Sequence, residues 1–95
     1  MKVQYDQAAD ALYITLAADA QVSRTVQVDA GTLVDLDRFG NVRGIEVIRP
    51  GRTWPLDEIL SRFSVADADA HLLRELQSGP DSGRYAFAGP LHVVA

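Results

Sequence analysis

The chain contains no cysteine, so it forms no disulfide, offers no thiolate nucleophile and builds no cysteine-based zinc site. It has no run of about 18 apolar residues, the length a membrane-crossing helix needs. With no signal-like apolar stretch either, a cytoplasmic protein with no membrane partner is the expectation. Positive charge is scarce: nine Lys and Arg stand against thirteen Asp and Glu, a net charge of −4. Broad binding to a phosphate backbone needs a dense positive face, so nucleic acid is not an expected partner. The serine-elbow, dinucleotide-binding and phosphate-cradling glycine patterns are also missing, and no cofactor is expected.

What is present is enough for one domain, residues 1–95. A chain of this size buries only about 60–65% of its unfolded surface, which allows one modest core. The first half reads as strands. Leu12, Ile14 and Leu16 alternate with Tyr13, Thr15 and Ala17, and Val22, Arg24, Val26 and Val28 alternate with Ser23, Thr25 and Gln27. Turns are expected at Asp19–Gln21 and at Asp29-Ala30-Gly31, and strands again over Thr32–Leu36 and Val42–Ile48. Around residue 55 the period changes. Leu56, Ile59, Leu60 and Phe63 form one helical stripe behind Pro55, and Val65, Ala68, Leu72 and Leu76 form a second that Gly79-Pro80 ends. The fold expected is α+β: an antiparallel meander of four to five strands over 2–48, then two helices over 55–78 on one face. Residues 84–95 would supply a late strand or an arm.

The stretch DLDRFGNVRGIE, Asp35 to Glu46, partly fits a calcium loop, with Asp35, Asp37 and Glu46 as ligands. Phe39 stands where an oxygen ligand belongs, Arg43 would face the ion, and the flanks have the period of strands. A hairpin turning over Arg38-Phe39-Gly40 uses more of the residues. In that register Leu36 pairs with Val42, Leu33 with Ile45, and Asp35 with Arg43. Leu36, Val34 and Val42 would then lie on one face and Leu33, Ile45 and Val47 on the other. Two helices cover only one side of a sheet. The greasy second side therefore calls for the C-terminal arm or another chain, unless Arg and Thr stems screen it, and a homodimer is the expected solution.

Asp6 and Asp10 could divide acid and base work, but capping one helical turn and starting the next strand is the simpler use. His71 and His92 lack a second histidine at ligand spacing, so no metal site is expected from them. Arg38, Arg43, Arg49 and Arg52 precede Trp54, either a small anion or nucleic-acid patch with an aromatic platform or a solvated hairpin edge with Trp54 clamping the first helix. Asp35, Asp37 and Glu46 lie among them and oppose that field.

The segments YDQAADALYITL and RTVQVDAGTLVDLDRFGNVRGIEVI together resemble the bacterial family called domain of unknown function 2283, over about residues 2–48. The resemblance rests on Tyr5-Asp6, Ala9 to Ile14, Asp29 to Gly31, Val34-Asp35, Gly40, and Gly44-Ile45-Glu46. It implies a small β-rich domain with no established activity. Some members are encoded beside toxins, which implies an antitoxin-like role and a neighbour-encoded toxin as a partner. It transfers no catalytic role to Asp6, Asp10, Asp35 or Glu46. The expected function is non-enzymatic protein–protein interaction, self-association first, with Phe39, Trp54, Tyr85, Leu33, Ile45 and Val47 as interface candidates. The alternative is a metal- or small-ligand-binding protein, or an enzyme, using the acidic residues of the meander.

Overall fold

Leu12 and Ile14 stand two residues apart and are wholly buried. That spacing marks one face of a central strand. In the computed structural model, which describes residues 1–17, 21–78 and 92–94, the strand is β2, Ala11–Thr15. It lies between β1 (Lys2–Asp6) and β5 (Val42–Ile48), antiparallel to both. β4 (Thr32–Leu36) pairs with β5, and β3 (Arg24–Asp29) pairs with β4. A three-residue strand, β6 (His92–Val94), closes the far side against β1. The order is β3-β4-β5-β2-β1-β6. Consecutive strands are neighbours except at two steps, from β2 to β3 at the far edge and from β5 through the helices to β6. Polarity accounts for the placement: β2 can bury two large apolar side chains, whereas β3 exposes Arg24, Thr25 and Gln27.

Two helices follow, α1 (Leu56–Arg62) and α2 (Asp67–Ser78), so the architecture is α+β with an antiparallel sheet. Pro55 takes the N-cap of α1, Asp57 and Glu58 meet the positive end of its dipole, and Arg62 meets the negative end. Leu56 and Ile59 of α1 and Leu73 of α2 join one core with Leu12, Ile14, Val34, Leu36, Ile45 and Val47 of the sheet. In α2 the fully buried residue is Leu73, whereas the sequence stripe pointed to Leu72 and Leu76, which are only half-buried. The Nε2 of Gln77 donates to the Trp54 carbonyl at 2.6 Å and ties α2 to the segment before α1.

The β4–β5 hairpin turns where expected, and Leu36 faces Val42. Its remaining register differs from the sequence reading. Asp35 faces Gly44 and Leu33 faces Glu46, because the ladder shifts between Asp35 and Leu36. Arg43 is the extra residue, and such a bulge moves everything after it to the other face. Val34, Leu36, Val42, Ile45 and Val47 therefore all enter the core. The expectation that this hairpin is apolar on both faces is corrected: Leu33 is left opposite a glutamate, on the side away from the core.

Candidate functional site: the hairpin tip and the open sheet face

The tip is built around Asp37. Its Oδ1 accepts from the backbone N–H of Phe39 at 2.8 Å and of Asn41 at 3.0 Å. Its Oδ2 accepts from Asn41 Nδ2 at 3.2 Å and from Arg43 Nε and Nη2 at 2.9 and 2.7 Å. Burial pushes the Asp37 carboxyl up, but the Arg43 guanidinium, followed by the Asn41 and Phe39 bonds, outweighs it and holds the group well below the usual carboxylate range. Gly40 takes a φ of 85°, the left-handed conformation the bend requires. Val42 N–H donates to the Ser64 carbonyl at 2.9 Å, so the segment just after α1 braces the tip. Both oxygens of Asp37 are therefore held by protein donors, and the flanks are strands. The calcium geometry considered for Asp35, Asp37 and Glu46 is not formed. Among the described residues no three His, Asp or Glu side chains gather as a metal-holding group.

The braced turn holds Phe39 out of the molecule, 73% exposed. Arg38 places its guanidinium carbon 4.8 Å from the centre of the Phe39 ring. Val22, 47% exposed, lies across a hollow of about 370 Å³ that Gln21, Ser23, Asp37, Arg38 and Phe39 also line. Phe39 and Val22 are the large exposed apolar side chains among the described residues.

The face away from the helices carries Gln4, Tyr13, Glu46, Leu33 and Gln27 in one row across the strands, and Thr15, Gly44, Asp35 and Thr25 in the next. Tyr13 reaches diagonally across Gly44 and donates its hydroxyl to Asp35 Oδ2 at 2.5 Å, while Thr25 donates to Asp35 Oδ1 at 2.6 Å. Burial, then the Asp35 bond and the charges of Asp35 and Glu46, raise the Tyr13 phenol to about 12. Gly44 is what leaves room. A Cβ there would stand 2.6 Å from the Tyr13 hydroxyl oxygen. Neither the Tyr13–Asp35–Thr25 cluster nor this use of Gly44 was anticipated, although a glycine inside a strand pattern is the signal for such a close approach.

Beside this row lies an open hollow of about 840 Å³, lined by Gln4, Asp6, Gln7, Tyr13, Glu46 and Ile48 among others. Its carboxylates, Asp6 and Glu46, accept hydrogen bonds and favour positive charge. Asp6 uses Oδ1 to accept from Ala8 and Ala9 N–H at 3.0 and 3.2 Å, which is the turn-capping role. Asp10, at a φ of 47°, accepts the Tyr5 hydroxyl at 2.6 Å, and its carbonyl accepts from Arg49 N–H at 2.7 Å. The hydroxyl bond to the Asp10 carboxylate, then burial and the charges of Asp10 and Asp6, raise the Tyr5 phenol to about 12.

The other candidate residues are dispersed. Ile45, Val47 and Trp54 are packed in the core and offer no surface to a partner; the bulge at Arg43 and the docking of α1 and α2 put them there. The arginines form no shared patch with Trp54. Arg43 is held by Asp37, and Arg52 donates to Thr32 Oγ1 at 2.8 Å and the Ile48 carbonyl at 3.1 Å while pairing with Asp29 at 3.3 Å. His71 is exposed beside Glu75 at 3.0 Å. Tyr85, and the expected turn at Asp19, lie outside the described residues, as does the side chain of His92.

The strands that carry both surfaces come from one half of the chain. No curated protein and no solved structure matches it. A family described as "Protein of unknown function (DUF2283)" matches residues 2–49, from the first strand to the end of β5. That stretch is half of the chain and contains Asp6, Asp10, Tyr13, Asp35, Gly44 and Glu46, and on it the chain belongs to this family of unknown function.

Proposed function

We propose that this chain is a non-enzymatic protein-binding module and that its first partner is another copy of itself. The supporting observation is Phe39. Its backbone N–H serves the turn, but its ring packs into no core and stays 73% exposed. The five bonds to Asp37 fix the loop that displays it. An aromatic side chain on a rigid turn loses little entropy on binding, which makes it a good interface anchor. The acidic residues support the same reading, since Asp6, Asp10, Asp35 and Asp37 each hold a neighbouring donor and so build structure.

Sedimentation velocity from low to high micromolar concentration tests it. The native chain is expected to shift toward twice its monomer mass, and Phe39→Ser is expected to weaken that shift while leaving the denaturation midpoint unchanged. A native chain that stays monomeric throughout that range refutes self-association.

A further inference from the structure

We propose that β3 is the seam on which a second copy docks, its own β3 running antiparallel about a two-fold axis through Val26. This rests on the self-association reading and specifies where it happens. β3 ends the sheet at one side, and β4 is the element it packs along extensively. An edge strand exposes unpaired N–H and C=O groups, and proteins that stay single usually guard such an edge with lysine, proline or a very short strand. The opposite edge has the last of these, since β6 is three residues long. β3 is six residues long and contains neither lysine nor proline; its charges, Arg24 and Asp29, stand at its two ends, and its irregularity is confined to the Asp29 end.

The strand itself selects the partner. It begins at Arg24 and ends at Asp29, so it carries opposite charges at its two ends. An antiparallel copy sets Arg24 toward the partner's Asp29 end, whereas a parallel copy would set like charges together. A two-fold axis perpendicular to the sheet keeps each face continuous, and residues of one face must meet. Through Val26, that axis sets Val26 on its own copy, Thr25 opposite Gln27 and Arg24 opposite Val28. Val26 and Val28 are half-buried against the core and gain cover from the second copy. An axis through Gln27 would instead centre the ladder beside the irregularity between Gln27 and Asp29, which the Val26 axis meets only at its Arg24–Val28 margin. Val22 and Phe39 stand at the Arg24 end of β3, so each copy's pair reaches the other end of its partner's strand. A seam this short lies at the small end of specific interfaces, under about 1,200 Å², and the dimer should dissociate on dilution.

The absence of native cysteine makes a single introduced cysteine an unambiguous reporter. Directly opposite residues of antiparallel strands have Cα atoms about 4.5–5.5 Å apart, within disulfide range. Positions 25 and 27 are offset from their own copies by two residues, about 8 Å, which is too far. Under mild oxidation Val26→Cys should give a covalent dimer, while Thr25→Cys, Gln27→Cys and the exposed Ser61→Cys should not. Gln27→Lys, which adds an edge guard at an exposed site, should weaken native association several-fold with no change in circular dichroism. If the native chain dimerises but Val26→Cys cross-links no faster than Ser61→Cys, the seam is wrong and self-association stands. Preferential cross-linking of Gln27→Cys overturns the Val26 axis. A native chain that never dimerises overturns both.

Discussion

Along β5, Val42, Ile45 and Val47 enter the core, while Gly44, Glu46 and Ile48 lie on the side the helices leave uncovered. The two sets belong to one strand but answer to different physics. The packed side is held by close contact among apolar groups from five strands and two helices. The uncovered side is held by directed bonds, with Tyr13 and Thr25 converging on Asp35 above a glycine. The family match spans the sequence of both sides. Substitutions should therefore act by volume on one side and by direction on the other.

The largest contrast is between two leucine-sized residues of the same hairpin. Ile45→Ala empties a fully buried site and should cost about 2–5 kcal/mol, a large share of the roughly 5–15 kcal/mol available to a small domain. Leu33→Ala, only half-buried beside Glu46, should cost about 1 kcal/mol. Urea denaturation of the two variants at a concentration where the chain is monomeric measures both. Equal losses would mean that the two sides are packed alike, and the contrast would fail.

A smaller effect sharpens it. Gly44→Ala brings a Cβ to 2.6 Å from the Tyr13 hydroxyl oxygen and 3.3 Å from Asp35 Oδ2. The half-exposed ring can swing away, but only by giving up Asp35. A loss of about 1 kcal/mol is expected, the low end for overpacking. Once Tyr13→Ala has removed the ring, the same Gly44→Ala should become stabilising by about 0.5 kcal/mol, because alanine is less flexible than glycine in a strand. The sign change between backgrounds is the measurement. The same sign in both would show that Gly44 serves the backbone rather than the ring.

The sequence made the packed side largely legible because alternation is a local signal. Leu12 and Ile14, Val34 and Leu36 were readable by counting in twos, and the change to a helical period at Leu56 was equally plain. Arg43 broke the count. The bulge shows in the pattern only as a three-residue step from Val42 to Ile45 beside Gly44, which strict alternation reads as a change of face, so Ile45 and Val47 fall on the wrong face by one residue. The preference of Arg43 for Asp37, two strand positions beyond Asp35, is decided by a guanidinium fork meeting a carboxylate already fixed by the turn. On the uncovered side, Tyr13, Thr25 and Asp35 come from three strands, and their meeting depends on β2 lying beside β5 rather than β3. Pairing of sequence neighbours could not supply that adjacency. Trp54 shows the same limit, since a lone aromatic after a basic run looks like a platform until two helices close over it.

The finest test isolates the direction of one bond. Tyr13→Phe keeps the ring over Gly44 and removes the proton given to Asp35, which Thr25 still supports. The expected cost near neutral pH is about 0.5–1.5 kcal/mol, toward the lower figure because the site is half-exposed. The pH dependence is more telling. The Tyr13 phenol is raised from 10.0 to about 12 in the folded chain, so its contribution is complete below pH 10 and is lost as pH rises through about 12. Native stability should therefore fall across that window, and Tyr13→Phe should flatten the fall without abolishing it, since Tyr5 is also raised to about 12. An absorbance titration of the phenols should show the late-titrating population reduced in the variant. If Tyr13→Phe leaves both the titration and the alkaline slope unchanged, the hydroxyl is not bound to Asp35 in solution, and the uncovered side would lose the directed bond that distinguishes it from the packed one.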